Sequence, residues 1–105
     1  MKEVTVQELK AMIDNKEDFQ LVDVREQNEF DFANLGGELI PLGDVIAEQD
    51  KIAQDKKVVI HCRSGARSGS AVKALEQSLG HDNLYNLKGG ILAWSAEIDP
   101  SVPSY

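Results

Sequence analysis

Val58-Val59-Ile60-His61 is a short, almost wholly apolar run that leads into Cys62-Arg63-Ser64-Gly65-Ala66-Arg67-Ser68 and then into helical periodicity. A run of this kind reads as a central strand covered on both faces, and a sheet covered on both faces takes its cover from helices. The chain's only cysteine therefore falls on a strand-to-helix turn at the carboxyl end of a strand. In an open α/β sheet that is where ligands bind.

The rest of the chain repeats the alternation. Thr5-Val6-Gln7-Glu8 has the form of a capping box, and Val6, Leu9, Met12 and Ile13 recur at helical spacing, which predicts a helix to about Asn15 after a short strand at Val4. Phe19 to Val24 is a strand candidate ending near Asp23 to Arg25, and Glu26 to Ala33 a short helix. Glu38-Leu39-Ile40, stopped by Pro41, belongs at a sheet edge, because proline cannot donate to a ladder. Asp44 to Gln54 is predicted as a helix through Val45, Ile46, Ile52 and Ala53. The helix after the cysteine turn places Ala71, Val72, Leu75 and Leu79 on one face and stops at Gly80. Leu84 to Leu87 is a further strand and Ile91 to Ile98 a last helix, with an irregular tail around Pro100 and Pro103. The expected fold class is α/β, a mostly parallel sheet of about five strands with helices on both faces.

A chain of 105 residues holds one small domain, residues 1–105, which buries roughly 60–70% of its unfolded surface. With 42% hydrophobic and 28% charged residues it has the composition of a globular protein. No apolar run approaches the roughly 20 residues that cross a bilayer, and Met1-Lys2-Glu3-Val4 does not open like a signal peptide. The expected location is the cytoplasm, provided no leader has been trimmed, and no membrane partner is expected. Taking Arg63 and Arg67 from the 11 basic residues leaves 9 against 18 acidic ones, a balance of −9 outside the turn. The turn is a basic island, and distributed phosphate contacts are missing, so nucleic acid is not an expected partner. One cysteine forms no internal disulfide and supplies no zinc ligand set, so no metal or cofactor is expected.

A free thiol, with a pKa of about 8.5, is little ionised at neutral pH, and a nucleophilic cysteine needs a field that favours its anion. Gly65 permits a positive φ that curls successive N–H groups inward, and Ser68 is a candidate cap. The helix end contributes about 0.3–1 kcal/mol, up to about 2 when partly buried. Arg63 and Arg67 offer forked donors for an anionic substrate, while Arg67 serves equally well if it pairs with a carboxylate and braces the loop. A lone cysteine is more often packing than catalyst, yet one followed by turn chemistry and two arginines is better placed for reaction than for packing. His61 alternates to the opposite face from Cys62 and reads as structural; His81, after Gly80, reads as a surface residue.

Four residues separate Cys62 from Arg67. Protein-phosphatase loops have one more, a wider cradle suited to a phosphoryl group, and the shorter loop resembles that of the rhodanese sulfurtransferases. The resemblance spans nearly the whole chain: Leu21-Val22-Asp23-Val24-Arg25-Glu26 is similar to the family's first signature, Val58 to Ser68 to its active loop, and Asn86 to Trp94 to its last. It implies that Cys62 takes up a sulfane sulfur as a persulfide and passes it on, with Arg63, Ser64, Gly65, Ala66 and Arg67 binding substrate. It implies that Asp23, Arg25, Glu26 and Ser68 support the loop. Trp94 is expected to pack in the core. Gly36 to Pro41 lacks the family's commoner Asn before Ile-Pro. With Ile98-Asp99-Pro100-Ser101 and Pro103-Ser104-Tyr105, it is more similar to the rhodanese domains appended to E1-like adenylyltransferases of molybdopterin and thiamine biosynthesis, which feed sulfur to a carrier protein.

The implied function is sulfur transfer from thiosulfate or a persulfide to cyanide, a thiol or a sulfur-carrier protein. A non-enzymatic rhodanese-like interaction module and a phosphatase or arsenate reductase are the alternatives. The acidic surround favours a protein donor or acceptor with a basic face over a small free anion.

Overall fold

The computed structural model describes residues 1–105. Five strands form one sheet in the order β1, β5, β4, β2, β3, where β1 is Glu3–Val4, β2 Phe19–Asp23, β3 Glu38–Leu39, β4 Lys57–His61 and β5 Leu84–Leu87. Every pairing is parallel, with β4 central: it runs in register with β2 from Phe19 opposite Lys57 to Asp23 opposite His61, and with β5 from Val58 opposite Leu84.

The alternation of β4 builds both halves of the core. Val58, Ile60 and Cys62 face one side and pack with Val22, Val24, Ile40 and the stripe Ala71, Val72 and Leu75 of helix α3 (Ala66–Leu79). Val59 faces the other side among Val6, Leu9 and Met12 of α1 (Val6–Asp14), together with Trp94 of α4 (Gly90–Glu97). Each fully buried aliphatic side chain contributes about 1.5–3 kcal/mol, which is why the apolar run is so strongly specified. The capping box at Thr5 and Glu8 is present, the Thr5 hydroxyl accepting from Glu8 N–H and the Glu8 carboxylate from Thr5 N–H. The short helix α2 (Gln27–Phe32) follows β2 directly. No helix is long and apolar enough to cross a membrane.

Three expectations are corrected. Asp44 to Gln54 is not one α-helix but two short 3-10 turns, Leu42–Asp44 and Gln49–Lys51. Gln20 on β2 competes for the backbone there: its side chain donates to the Lys51 carbonyl and accepts from Ala53 N–H, both at 2.8 Å. Val45 and Ile52 are still buried, whereas Ile46 is not. Leu79 is exposed rather than part of the apolar stripe, and His81 is buried rather than on the surface. Gly80 takes a left-handed conformation that reverses the chain, and His81 N–H reaches back to the Leu75 carbonyl. The covered position at this end of the helix falls to His81.

At the other end of the sheet, α4 starts against the cysteine turn. The N–H groups of Ile91 and Leu92 donate to the carbonyls of Cys62 and Arg63 at 3.0 and 3.1 Å. That approach needs Gly90: with φ at +59°, a Cβ there would lie 2.5–2.6 Å from the Arg63 and Cys62 carbonyl groups. Gly90→Ala is expected to destabilise the fold by about 2–4 kcal/mol through overpacking and left-handed strain, read as a lower urea midpoint.

Candidate active site

Cys62 leaves the end of β4 and is buried, while Arg63, Ser64 and Ala66 form an exposed rim above it. Gly65 turns the chain at φ +111° and is itself the N-cap of α3, so its N–H points back to the Cys62 Sγ at 3.1 Å. Ser68 is therefore inside the first turn rather than at the cap position expected of it. From there its hydroxyl lies 3.3 Å from Sγ and 2.5 Å from Asn86 Oδ1. Asn86 Nδ2 in turn donates to the Gly65 carbonyl at 3.1 Å, which orients the amide.

Burial pushes the Cys62 thiol up, and the Ser68 hydroxyl with the Ser68, Gly65 and Ser64 N–H groups more than reverses it, leaving the pKa below the ordinary value. Fixed dipoles, rather than an adjacent full charge, carry that balance. His61 is fully buried with its Nε2 3.7 Å from Asp23 Oδ2; desolvation lowers its pKa, only partly opposed by Asp23, so the ring is neutral. It is no paired base for Cys62.

The loop arginines have different partners. Arg67 donates through both terminal nitrogens to the Glu29 carboxylate, at 2.6 and 2.8 Å. The Arg67 pair holds the Glu29 carboxyl at about 2, against the burial that would raise it, and Glu26 and Tyr105 add donors. Arg63 has no carboxylate partner and lies over the ring of Tyr105, its guanidinium carbon 5.0 Å from the centroid.

Asp23 and Arg25 form a fully buried pair one layer below. Asp23 Oδ1 accepts from the Arg25 backbone N–H and Nε at 3.0 Å, and Oδ2 accepts from Nη2 at 2.8 Å. Arg25 also donates to the Ala33 carbonyl and to Tyr105. Glu26 is exposed, and its backbone N–H donates to Glu29; the carboxylate that reaches the loop is Glu29, three residues on. None of Glu29, Asn86 and Tyr105 is among the site residues expected from sequence, where Asn86 and Tyr105 enter only within family-like segments. A helical acid facing an arginine 38 positions away has no local signature, and the irregular tail gave no sign that its tyrosine returns to the loop.

A five-stranded parallel sheet flanked by helices is the fold of rhodanese-like domains. A family model described as a rhodanese-like domain matches residues 5–97, and the chain belongs to that family. A sulfurtransferase of Allochromatium vinosum is 35% identical over 90% of this chain and 89% of its own length. The adenylyltransferase and sulfurtransferase MOCS3 of Xenopus laevis is 31% identical over 97% of this chain, which spans 27% of that protein. That match bears out the likeness to rhodanese domains joined to adenylyltransferases. The crystal structure of a rhodanese-like domain protein from Staphylococcus aureus superposes with a TM-score of 0.83 at 29% identity, covering 100% of this chain and 99% of that one.

Two measurements check these interactions. Glu29 is depressed on folding from 4.5 to about 2, so its contribution is present above 4.5 and is lost as pH falls toward 2. Glu29→Gln is expected to lower stability by about 1–2 kcal/mol at neutral pH and to lessen the loss between pH 6 and 3, measured by urea unfolding at each pH. Ser68→Ala removes a hydroxyl donor to Sγ, and the alkylation rate of Cys62 by iodoacetamide is expected to fall at pH 7, its pH midpoint moving upward.

Proposed function

We propose that the chain is a rhodanese-type sulfurtransferase in which Cys62 carries the sulfur. The observation that supports it most is the Sγ held by the Gly65 N–H and beside the Ser68 hydroxyl, with its pKa lowered despite burial. The Cys62 thiolate attacks the outer sulfur of thiosulfate; the sulfur–sulfur bond of the donor breaks, sulfite leaves with the electron pair, and a Cys62 persulfide forms. A thiolate or cyanide then attacks the terminal sulfur, the persulfide bond breaks, and Cys62 leaves as thiolate. The two steps need no external oxidant or reductant.

The anionic persulfide extends into the ring of loop N–H groups, which stabilise it and the thiolate that follows. Arg63, on the rim without a carboxylate partner, anchors the anionic donor, and Arg67 with Glu29 holds the loop in shape. Neither of the two surface cavities of about 230 Å³, one lined by Leu9, Ile13, Leu35 and Trp94 and the other by Thr5, Gln7, Lys88 and Glu97, includes a loop residue, which fits a shallow cradle at the cysteine. A shallow cradle in an acidic surface suits a terminal sulfur presented by a partner protein with a basic face, such as a protein persulfide or a sulfur carrier.

Incubation with thiosulfate is expected to add the mass of one sulfur to the intact protein, and subsequent cyanide to remove it as thiocyanate. Cys62→Ala is expected to abolish both. A wild-type mass unchanged by thiosulfate and by a low-molecular-weight persulfide would falsify the assignment.

A further inference from the structure

Tyr105 touches one loop arginine, Arg63, and the carboxylate partner of the other, Arg67. Its hydroxyl donates to Glu29 Oε2 at 2.8 Å and accepts from Arg25 Nη1 at 2.8 Å. Glu29 is the carboxylate that grips Arg67. The face of the Tyr105 ring carries Arg63 at 5.0 Å, and Phe32 meets the same ring edge-on with centroids 5.8 Å apart. Arg25 is matched by Asp23 and Arg67 by Glu29, so of the three arginines gathered here only Arg63 has a charge without an anionic partner.

An exposed arginine that samples many rotamers must be ordered when an anion binds, and that ordering subtracts from affinity. A ring already fixed by two hydrogen bonds and an aromatic neighbour removes part of the ordering in advance. Contact with the ring face also leaves the in-plane N–H donors of the guanidinium free for substrate oxygens. We propose that Tyr105 is a positioning residue for anion recognition: its ring holds the Arg63 guanidinium ready at the mouth of the cysteine loop while its hydroxyl ties that ring to the carboxylate fixing Arg67. The inference rests on the sulfur-transfer reading, with Arg63 as the group that meets the donor.

Steady-state transfer from thiosulfate to cyanide tests it. Tyr105→Leu is expected to raise KM for thiosulfate about two- to fivefold, the range of a cation–π contact at an exposed site, with kcat little changed. Tyr105→Phe keeps the ring and its Phe32 contact but loses the hydroxyl tie, and is expected to give a KM between those of the wild type and Tyr105→Leu. In an Arg63→Ala background the leucine substitution is expected to add nothing further. A wild-type KM in Tyr105→Leu, a Tyr105→Phe as impaired as the leucine variant, or a full effect persisting without Arg63 overturns the role of Tyr105. In the unmutated protein, ring current should shift the Arg63 side-chain protons upfield in the NMR spectrum, and random-coil values overturn the stack whatever the variants do. Failure of the wild type to acquire sulfur on Cys62 defeats the sulfur-transfer reading instead, so the two failures are distinguishable.

Discussion

A loop that turns its N–H groups toward one sulfur must turn its carbonyls away from it, and every carbonyl so displaced needs a donor of its own. That constraint organises this end of the molecule. The carbonyls of Cys62 and Arg63 are met by the first N–H groups of α4, and the Gly65 carbonyl by Gly69 N–H and by Asn86 Nδ2. The cysteine turn is thereby locked to a segment distant in sequence, the end of β5 and the start of α4 that follows it. The close approach at Gly90 follows from the same need: the donors of α4 reach the loop only if nothing larger than hydrogen stands between them.

The charges are arranged so that they do not substitute for those dipoles. Arg67 is neutralised by Glu29 and Arg25 by Asp23, each with good geometry, which leaves the sulfur facing oriented N–H groups and a hydroxyl. For the proposed sulfur transfer, in which Cys62 must both attack as a thiolate and leave as one, that choice is an advantage. A full cation clamped against the thiolate would stabilise the resting anion and make it a poorer nucleophile, since nucleophilicity falls as pKa falls. Arg67 acts on the loop's shape more than on the sulfur's charge. Of the two roles that its sequence position left open, the geometry favours bracing.

Much of this was legible from sequence because it is local. The capping box at Thr5, the strand ending at His61, the left-handed glycine at Gly65 and the helix stop at Gly80 each depend on residues within one turn of one another. What was not legible is carried by long-range pairing. Glu29 finds Arg67 across 38 positions, Asn86 finds Ser68 across 18, and Tyr105 finds Glu29 across 76. Periodicity also misassigned the stretch after Asp44, where a glutamine on the neighbouring strand claims the backbone groups that a helix would have used internally. Ser68 illustrates both limits: its residue type marked it as a helix cap, but Gly65 occupies that position, and the hydroxyl is released to serve the sulfur.

The position of that hydroxyl carries a further consequence for how the thiol ionises. Ser68 has one proton and two acceptors within reach, Cys62 Sγ and Asn86 Oδ1. While the sulfur is protonated it can donate to Ser68 Oγ, and the Ser68 proton goes to the shorter contact at Asn86. Once the sulfur is a thiolate it has become the stronger acceptor, and the same proton is drawn to it by a rotation of the hydroxyl alone. The Asn86 amide does not follow, because its other end is held by the Gly65 carbonyl of the same loop. The cradle therefore accommodates both protonation states with one small motion, and the N–H groups that define its shape stay where α4 and β5 have fixed them.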